Sequence, residues 1–190
     1  MKKTFFGAIA ALVLSYSIAQ ADPLTYGFDK DHSSIEFHVN HFGYSNFQAE
    51  FGGFDGELVF DQDKPEASNV SVTIDVKSID TGVAKLDAHL KSADFFDVAK
   101  YPTMTFKSKS IKVTGKNTGE ITGDLTLHGV TKEVVLQTIL NKAAVHPMTK
   151  KEHVGFSATT TIKRSDFGIK TFIPAIGDEV KINIEIEAGV

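Results

Sequence analysis

An all-β fold, expected as one eight-stranded antiparallel barrel with a short helix, follows from three features of the sequence. Apolar and polar residues alternate at period two in many short stretches, most cleanly over 70–77 and 180–187. Such alternation marks strands with one apolar and one wet face. Gly, Asn and Pro punctuate these stretches at hairpin distances, and only residues 81–90 carry apolar residues at helical spacing. Closing such strands into a barrel removes the exposed edges an open sheet would leave. A two-layer sandwich is the alternative arrangement of the same strands.

Taken in order, the chain begins with an export signal. Lys2 and Lys3 precede the apolar run 5–14, and Ala19-Gln20-Ala21 presents small residues where a signal peptidase cuts. Residues 1–21 therefore read as a cleaved signal peptide, and residues 22–190 as an exported mature domain. The apolar run falls short of the roughly 20 residues a membrane span requires.

Strands are expected at 33–40, 47–51, 56–60, 70–77, 103–113, 120–127, 132–140, 156–163 and 180–187. Between Leu127 and Val130 only His128-Gly129 intervenes, which suits a two-residue hairpin with positive φ angles. Residues 61–68 form a Pro-bearing loop, 114–119 a turn, and 141–153 a longer polar connection. Met104 and Phe106 occupy even positions whereas Ile111 and Val113 occupy odd ones, so a bulge is expected near Ser108–Ser110. In the helix, Val83, Leu86, His89 and Leu90 can share a face.

Composition removes several function classes. Without the two signal lysines, the 20 basic and 24 acidic residues become 18 and 24, a net charge of −6. A nucleic-acid partner, which calls for a basic stripe, is not expected. The chain has no cysteine, which rules out disulfides, thiolate nucleophiles and Cys-ligated metal. The inward faces are rich in Phe and β-branched residues, so the interior is expected to be apolar, whether filled or hollow.

Candidate chemistry is sparse. His32, His38 and His41 lie close in sequence, but residues three apart on a strand face opposite ways, and no metal site is expected from them. Asp31-His32-Ser33 holds the ingredients of a hydrolase triad without a nucleophile elbow, and no catalytic residue is assigned. Were the protein an enzyme acting on a buried lipid or quinone, Asp87 and His89 would be its titratable pair. A packed barrel serving as a stress or partner protein is a third reading. Phe95 and Phe96 form an apolar knuckle that suits a core plug or a pocket wall. Lys163, Arg164, Ser165 and Asp166 read as solvated rim.

Longer motifs point to a family. The stretch 29–45, Asp-Lys-Asp-His-Ser-Ser-Ile-Glu-Phe-His-Val-Asn-His-Phe-Gly-Tyr-Ser, resembles the opening signature of the YceI-like proteins. Ser78-Ile79-Asp80-Thr81, residues 87–97 and Tyr101-Pro102 follow the middle motif of that family, and residues 123–131 with 164–169 complete the likeness over nearly the whole mature chain. One departure is Leu86, where many members carry Arg.

The resemblance implies a lipocalin-like barrel whose elongated apolar cavity holds a polyisoprenoid, such as a quinone or its precursor, or a similar long lipid. It implies a carrier rather than an enzyme, no cofactor beyond such a bound isoprenoid or fatty ligand, and, for some members, a membrane cytochrome of the b561 type as partner. A homodimer is left open. Strand phase and the resemblance together nominate as cavity lining Phe37, Val39, Phe51, Val72, Ile74, Leu90, Phe95, Phe96, Phe106, Leu125, Leu127, Phe156, Ile162 and Phe167.

Cell fractionation followed by N-terminal sequencing checks the export signal. The mature chain is expected to start at Asp22 in the periplasmic fraction, and a cytoplasmic protein retaining Met1 would refute the signal.

Overall fold

The computed structural model describes residues 23–190; the signal peptide expected at residues 1–21 lies outside the described residues. Ten strands and one α-helix follow in the order β1 (Leu24–His41), β2 (Ser45–Phe51), β3 (Phe54–Phe60), β4 (Asn69–Asp75), β5 (Ile79–Asp80), α1 (Ala84–Leu90), β6 (Thr103–Val113), β7 (Thr118–Leu127), β8 (Val130–Val145), β9 (Glu152–Lys163) and β10 (Ile176–Gly189). They form one antiparallel sheet, and β1 pairs with β10 to close it.

The closed barrel has eight strand positions although ten strands build it. Along β1, residues 24–27 pair with β3 and residues 36–41 pair with β2. The chain breaks at Gly52-Gly53 between them, so β2 and β3 share one position. The neighbouring position is shared in the same way, with β4 against β3 and the short β5 against β2. A 3₁₀ turn over Val76–Ser78 separates β4 from β5.

Bulges reconcile the apolar phase with closure. In β6 the register shifts between Ser108 and Ser110, where the alternation of Phe106 and Ile111 breaks. A second shift in β1, between Asp29 and Ser34, moves the inward set from Tyr26 and Phe28 to Ile35, Phe37 and Val39. Each bulge adds unpaired backbone to one strand and increases its local twist, which curls the sheet.

Several expected boundaries are corrected, and the strand expected at 70–77 ends at Asp75, where the 3₁₀ turn takes Val76 and Lys77. The connection placed at 141–153 is mostly strand, because β8 runs to Val145 and β9 begins at Glu152. Pairing continues from Lys142–Gly155 to Val145–Glu152 beyond a register shift after Leu140, and that shift hides the alternation. The strand expected at 33–40 begins at Leu24, its first half masked by the β1 bulge.

The helix starts at Ala84 rather than Thr81. Thr81 instead donates to Asp87 Oδ1 through its backbone N at 2.9 Å and its Oγ1 at 2.6 Å. Leu86, His89 and Leu90 face the barrel interior, but Val83 is 51% exposed and leaves the shared face.

At the β7–β8 hairpin, His128 and Gly129 have φ angles of 52° and 75°, the left-handed pair of a type I′ turn. A Cβ on Gly129 would run into the ring of Tyr101, so the loop before β6 is fitted against a bare backbone. Gly129→Ala should lower stability by about 2 kcal/mol or more, combining a left-handed cost of roughly 1–2 kcal/mol with the clash. Gly43→Ala, at φ 77° in open space, should incur only the backbone cost. Urea unfolding of the two variants checks the order, and equal losses would contradict it.

Candidate functional site

Inward-facing side chains from all eight positions surround a cavity of about 900 Å³, near the top of the range for small-molecule pockets. Its walls follow from strand alternation: β10 contributes Val180, Ile182, Ile184 and Ile186, and β9 contributes Phe156, Ala158, Thr160 and Ile162. Close backbone approach also shapes it, since a Cβ on Gly123 would collide with the Phe106 ring. The cavity reaches from His41, Leu86 and Phe172 at the helix end to Gln62 and Thr118 near the far end. There Tyr26, Phe60 and Val154 form a packed floor with Ala188.

Thirteen of the fourteen side chains nominated from sequence line this cavity: Phe37, Val39, Phe51, Val72, Ile74, Leu90, Phe95, Phe96, Phe106, Leu125, Leu127, Phe156 and Ile162. Phe167 does not. It ends the 3₁₀ turn Arg164–Phe167 and is 1% exposed within the packed core that includes Ile162 and Ile169. Strand phase has no meaning on such a turn. Lining residues that were not nominated include Ile35, Leu136 and Ile184, which obey the same alternation and were legible by it, and Phe28, whose phase the β1 bulge hides.

The mouth is built from α1 and the loops around it. Phe96 turns inward and sets its edge against Phe51 and Phe37, at centroid distances of 5.7 and 6.5 Å. Phe95 meets His89 at 5.0 Å and Phe172 at 6.1 Å. Phe42 and Phe172 are 54% and 56% exposed, and both sit at positive φ, 54° and 62°. Left-handed backbone is costly for a bulky residue, so tertiary structure holds these rings at the rim. A backbone bond from Phe42 N to Ala175 O, 2.9 Å, ties the two rim loops together.

Arg164 is not rim. Its side chain is 7% exposed and donates to the carbonyls of Gly177, Ile176 and Ile169 at 2.8, 3.0 and 3.3 Å. Ser165 donates to Asp178 through both N and Oγ. Buried carbonyls need donors, and one fork-shaped guanidinium satisfies three, at Ile169 before β10 and at the first two residues of β10.

The titratable groups are occupied separately. Thr81 holds the Asp87 carboxyl below the usual carboxylate range by hydrogen bonding, while His89 Nε2 lies 3.7 Å from Asp94 Oδ2. Asp87 therefore serves the helix start and His89 the mouth. The three clustered histidines disperse too. His41 faces the cavity against Phe42 and Phe47, His38 Nε2 meets Asn183 Nδ2 at 3.0 Å, and His32 Nδ1 meets Asp29 Oδ2 at 2.9 Å. That last pairing lowers the Asp29 pKa and raises that of His32. What this interior can do chemically is enclose a long apolar molecule.

Comparison with known proteins agrees with this architecture. The chain is 42% identical over 184 residues to a UPF0312 protein of Ectopseudomonas mendocina, covering 95% of this chain and 96% of that one. Among solved structures it matches Burkholderia cenocepacia BcnA with a TM-score of 0.77 at 26% identity, over 84% of this chain and 98% of the other. A polyisoprenoid-binding domain from Saccharophagus degradans shares the fold at TM-score 0.69 and 16% identity, over 87% and 98% of the two chains. The model of the YceI-like domain matches residues 26–188, and the chain belongs to the YceI-like family.

Proposed function

We propose that the protein is an exported carrier that sequesters a polyisoprenoid or comparable long-chain lipid in its barrel, with the cavity itself as the observation that carries the reading. A volume of about 900 Å³ walled mainly by Phe, Ile, Leu and Val suits a chain with few polar atoms along its length. Each buried methylene gains about 0.8 kcal/mol. At about −0.3 kcal/mol per heavy atom, a ligand of roughly 40 heavy atoms reaches about −12 kcal/mol, near nanomolar affinity. The fold shared with the polyisoprenoid-binding domain of Saccharophagus degradans supports the ligand class. Periplasmic location rests on the signal-like leader; among the described residues no helix is long and apolar enough to cross a membrane.

Mass spectrometry of organic extracts from freshly purified protein tests the reading. A stoichiometric long-chain isoprenoid or fatty compound is expected, and failure both to recover lipid and to bind added lipid would end it. Adding back ligand should raise the unfolding temperature, since binding to the folded state alone stabilises it.

Variants separate binding from catalysis. Phe96→Asp places an unpaired carboxylate against Phe37 and Phe51, a burial costing several kcal/mol, and should abolish lipid retention or folding, which circular dichroism distinguishes. His89→Ala combined with Asp87→Asn should leave lipid affinity within about threefold, because apolar burial supplies it. Normal lipid binding by Phe96→Asp, together with chemical turnover lost on His89→Ala, would favour an enzyme.

A further inference from the structure

We propose that the outer wall of the barrel, at the end away from the mouth, carries a site for one divalent transition-metal ion held by Asp29, His153 and Glu187. The three residues come from adjacent strands, and strand register brings them together. Asp29 pairs directly with Glu187 between β1 and β10. Across β10 and β9, Glu187 pairs with Gly155, two residues from His153. Residues opposite one another, or displaced by two along the neighbouring strand, share a face. All three side chains therefore leave the outer side of the wall, while Phe28 and Ile186 beside them line the cavity.

The donor geometry is close to that of a metal centre. One ligand atom from each residue lies within 4.8 Å of the others, and His153 Nε2 is 3.2 Å from Glu187 Oε2. Donors at ~2.0–2.1 Å from a tetrahedral ion stand about 3.4 Å apart, so this pair is near its working separation and Asp29 needs only about 1–1.5 Å of side-chain adjustment. One imidazole and two carboxylates make a donor set suited to zinc and similar first-row ions. Positions facing solvent remain for water or an external ligand.

The surroundings fit an ion better than a bare ion pair needs. Gly155 stands opposite Glu187, and Gly27 pairs with Gly189, so three positions on this patch of wall carry no side chain. Gly27 and Gly189 border a hollow of about 260 Å³ with Asp29, His153, Thr149 and Lys151. Asp29 is the carboxylate that borders this hollow, while Glu187 reaches His153 from the neighbouring strand.

A second layer steadies the donors. His32 Nδ1 contacts Asp29 Oδ2 at 2.9 Å, and Ser33 Oγ bridges the backbone N and O of Glu187 at 3.0 and 3.3 Å. The ring of His146 packs on that of His153 with centroids 4.9 Å apart. Outer partners of this kind orient metal ligands.

Calorimetric titration of zinc chloride into untagged, chelator-stripped protein tests the site. One ion per chain is expected, with affinity falling at least about tenfold in each of Asp29→Asn, His153→Gln and Glu187→Gln. His38→Gln, which alters the histidine bonded to Asn183, should leave it unchanged. Zinc should raise the unfolding temperature of the parent but not of Glu187→Gln. Anomalous diffraction at the zinc edge, which needs no variant, should place the ion among the three side chains. Absence of zinc binding by the parent, equal affinity in folded His153→Gln and Glu187→Gln, or an anomalous peak elsewhere would overturn the proposal.

Discussion

Backbone hydrogen bonding between β1 and β10 joins the first and last strands in a ladder from Gly27–Gly189 to His41–Ile176. Without that seam the sheet would have two long edges, with unpaired amides and carbonyls available to any other strand. With it, every strand position has two neighbours, and alternation sorts side chains into an outer wet set and an inner apolar set. The number of positions then fixes the width of the interior. Eight positions leave more room than these side chains fill, although Phe and Ile dominate the wall.

Cavity-facing atoms lack partners on one side and forgo dispersion contacts that a packed core would supply. The ladder resists collapse because narrowing the barrel would break its register. Rigid backbone therefore maintains a space that the hydrophobic effect alone would close, and any molecule filling it recovers the missing contacts. Arg164 contributes to the same rigidity at the mouth, since its three carbonyl partners lie on the segment entering β10. The aromatic rim, by contrast, sets Phe42 and Phe172 on left-handed backbone that the surrounding loops hold in place.

Much of the barrel was legible in the sequence because period-two alternation and turn chemistry are local signals. The His128-Gly129 hairpin and the Ser108–Ser110 bulge could each be read from a handful of residues, and inward phase placed ten strand side chains on the cavity wall. What escaped was set by contacts distant in sequence. The β1 bulge scrambled the phase of residues 24–34, and the shift after Leu140 disguised the ends of β8 and β9. Phe167 and Arg164 sit on a 3₁₀ turn, where no periodicity reports burial. Asp29, His153 and Glu187 are separated by up to 158 residues, and only the β1–β10–β9 register makes them neighbours.

The seam has one further consequence for handling the molecule. Leu24 pairs with Phe60, Gly189 with His153 and Gly27, so both ends of the described chain emerge near the barrel floor. A fusion partner, surface linker or affinity handle attached at either end would therefore leave the aromatic mouth unobstructed. Because the termini are neighbours, a short linker could also join them and new ends be cut in the exposed 146–151 turn, as circular permutation allows where termini adjoin. Such a permutant would move the first and last strands to β9 and β8 while leaving every rung of the ladder in place.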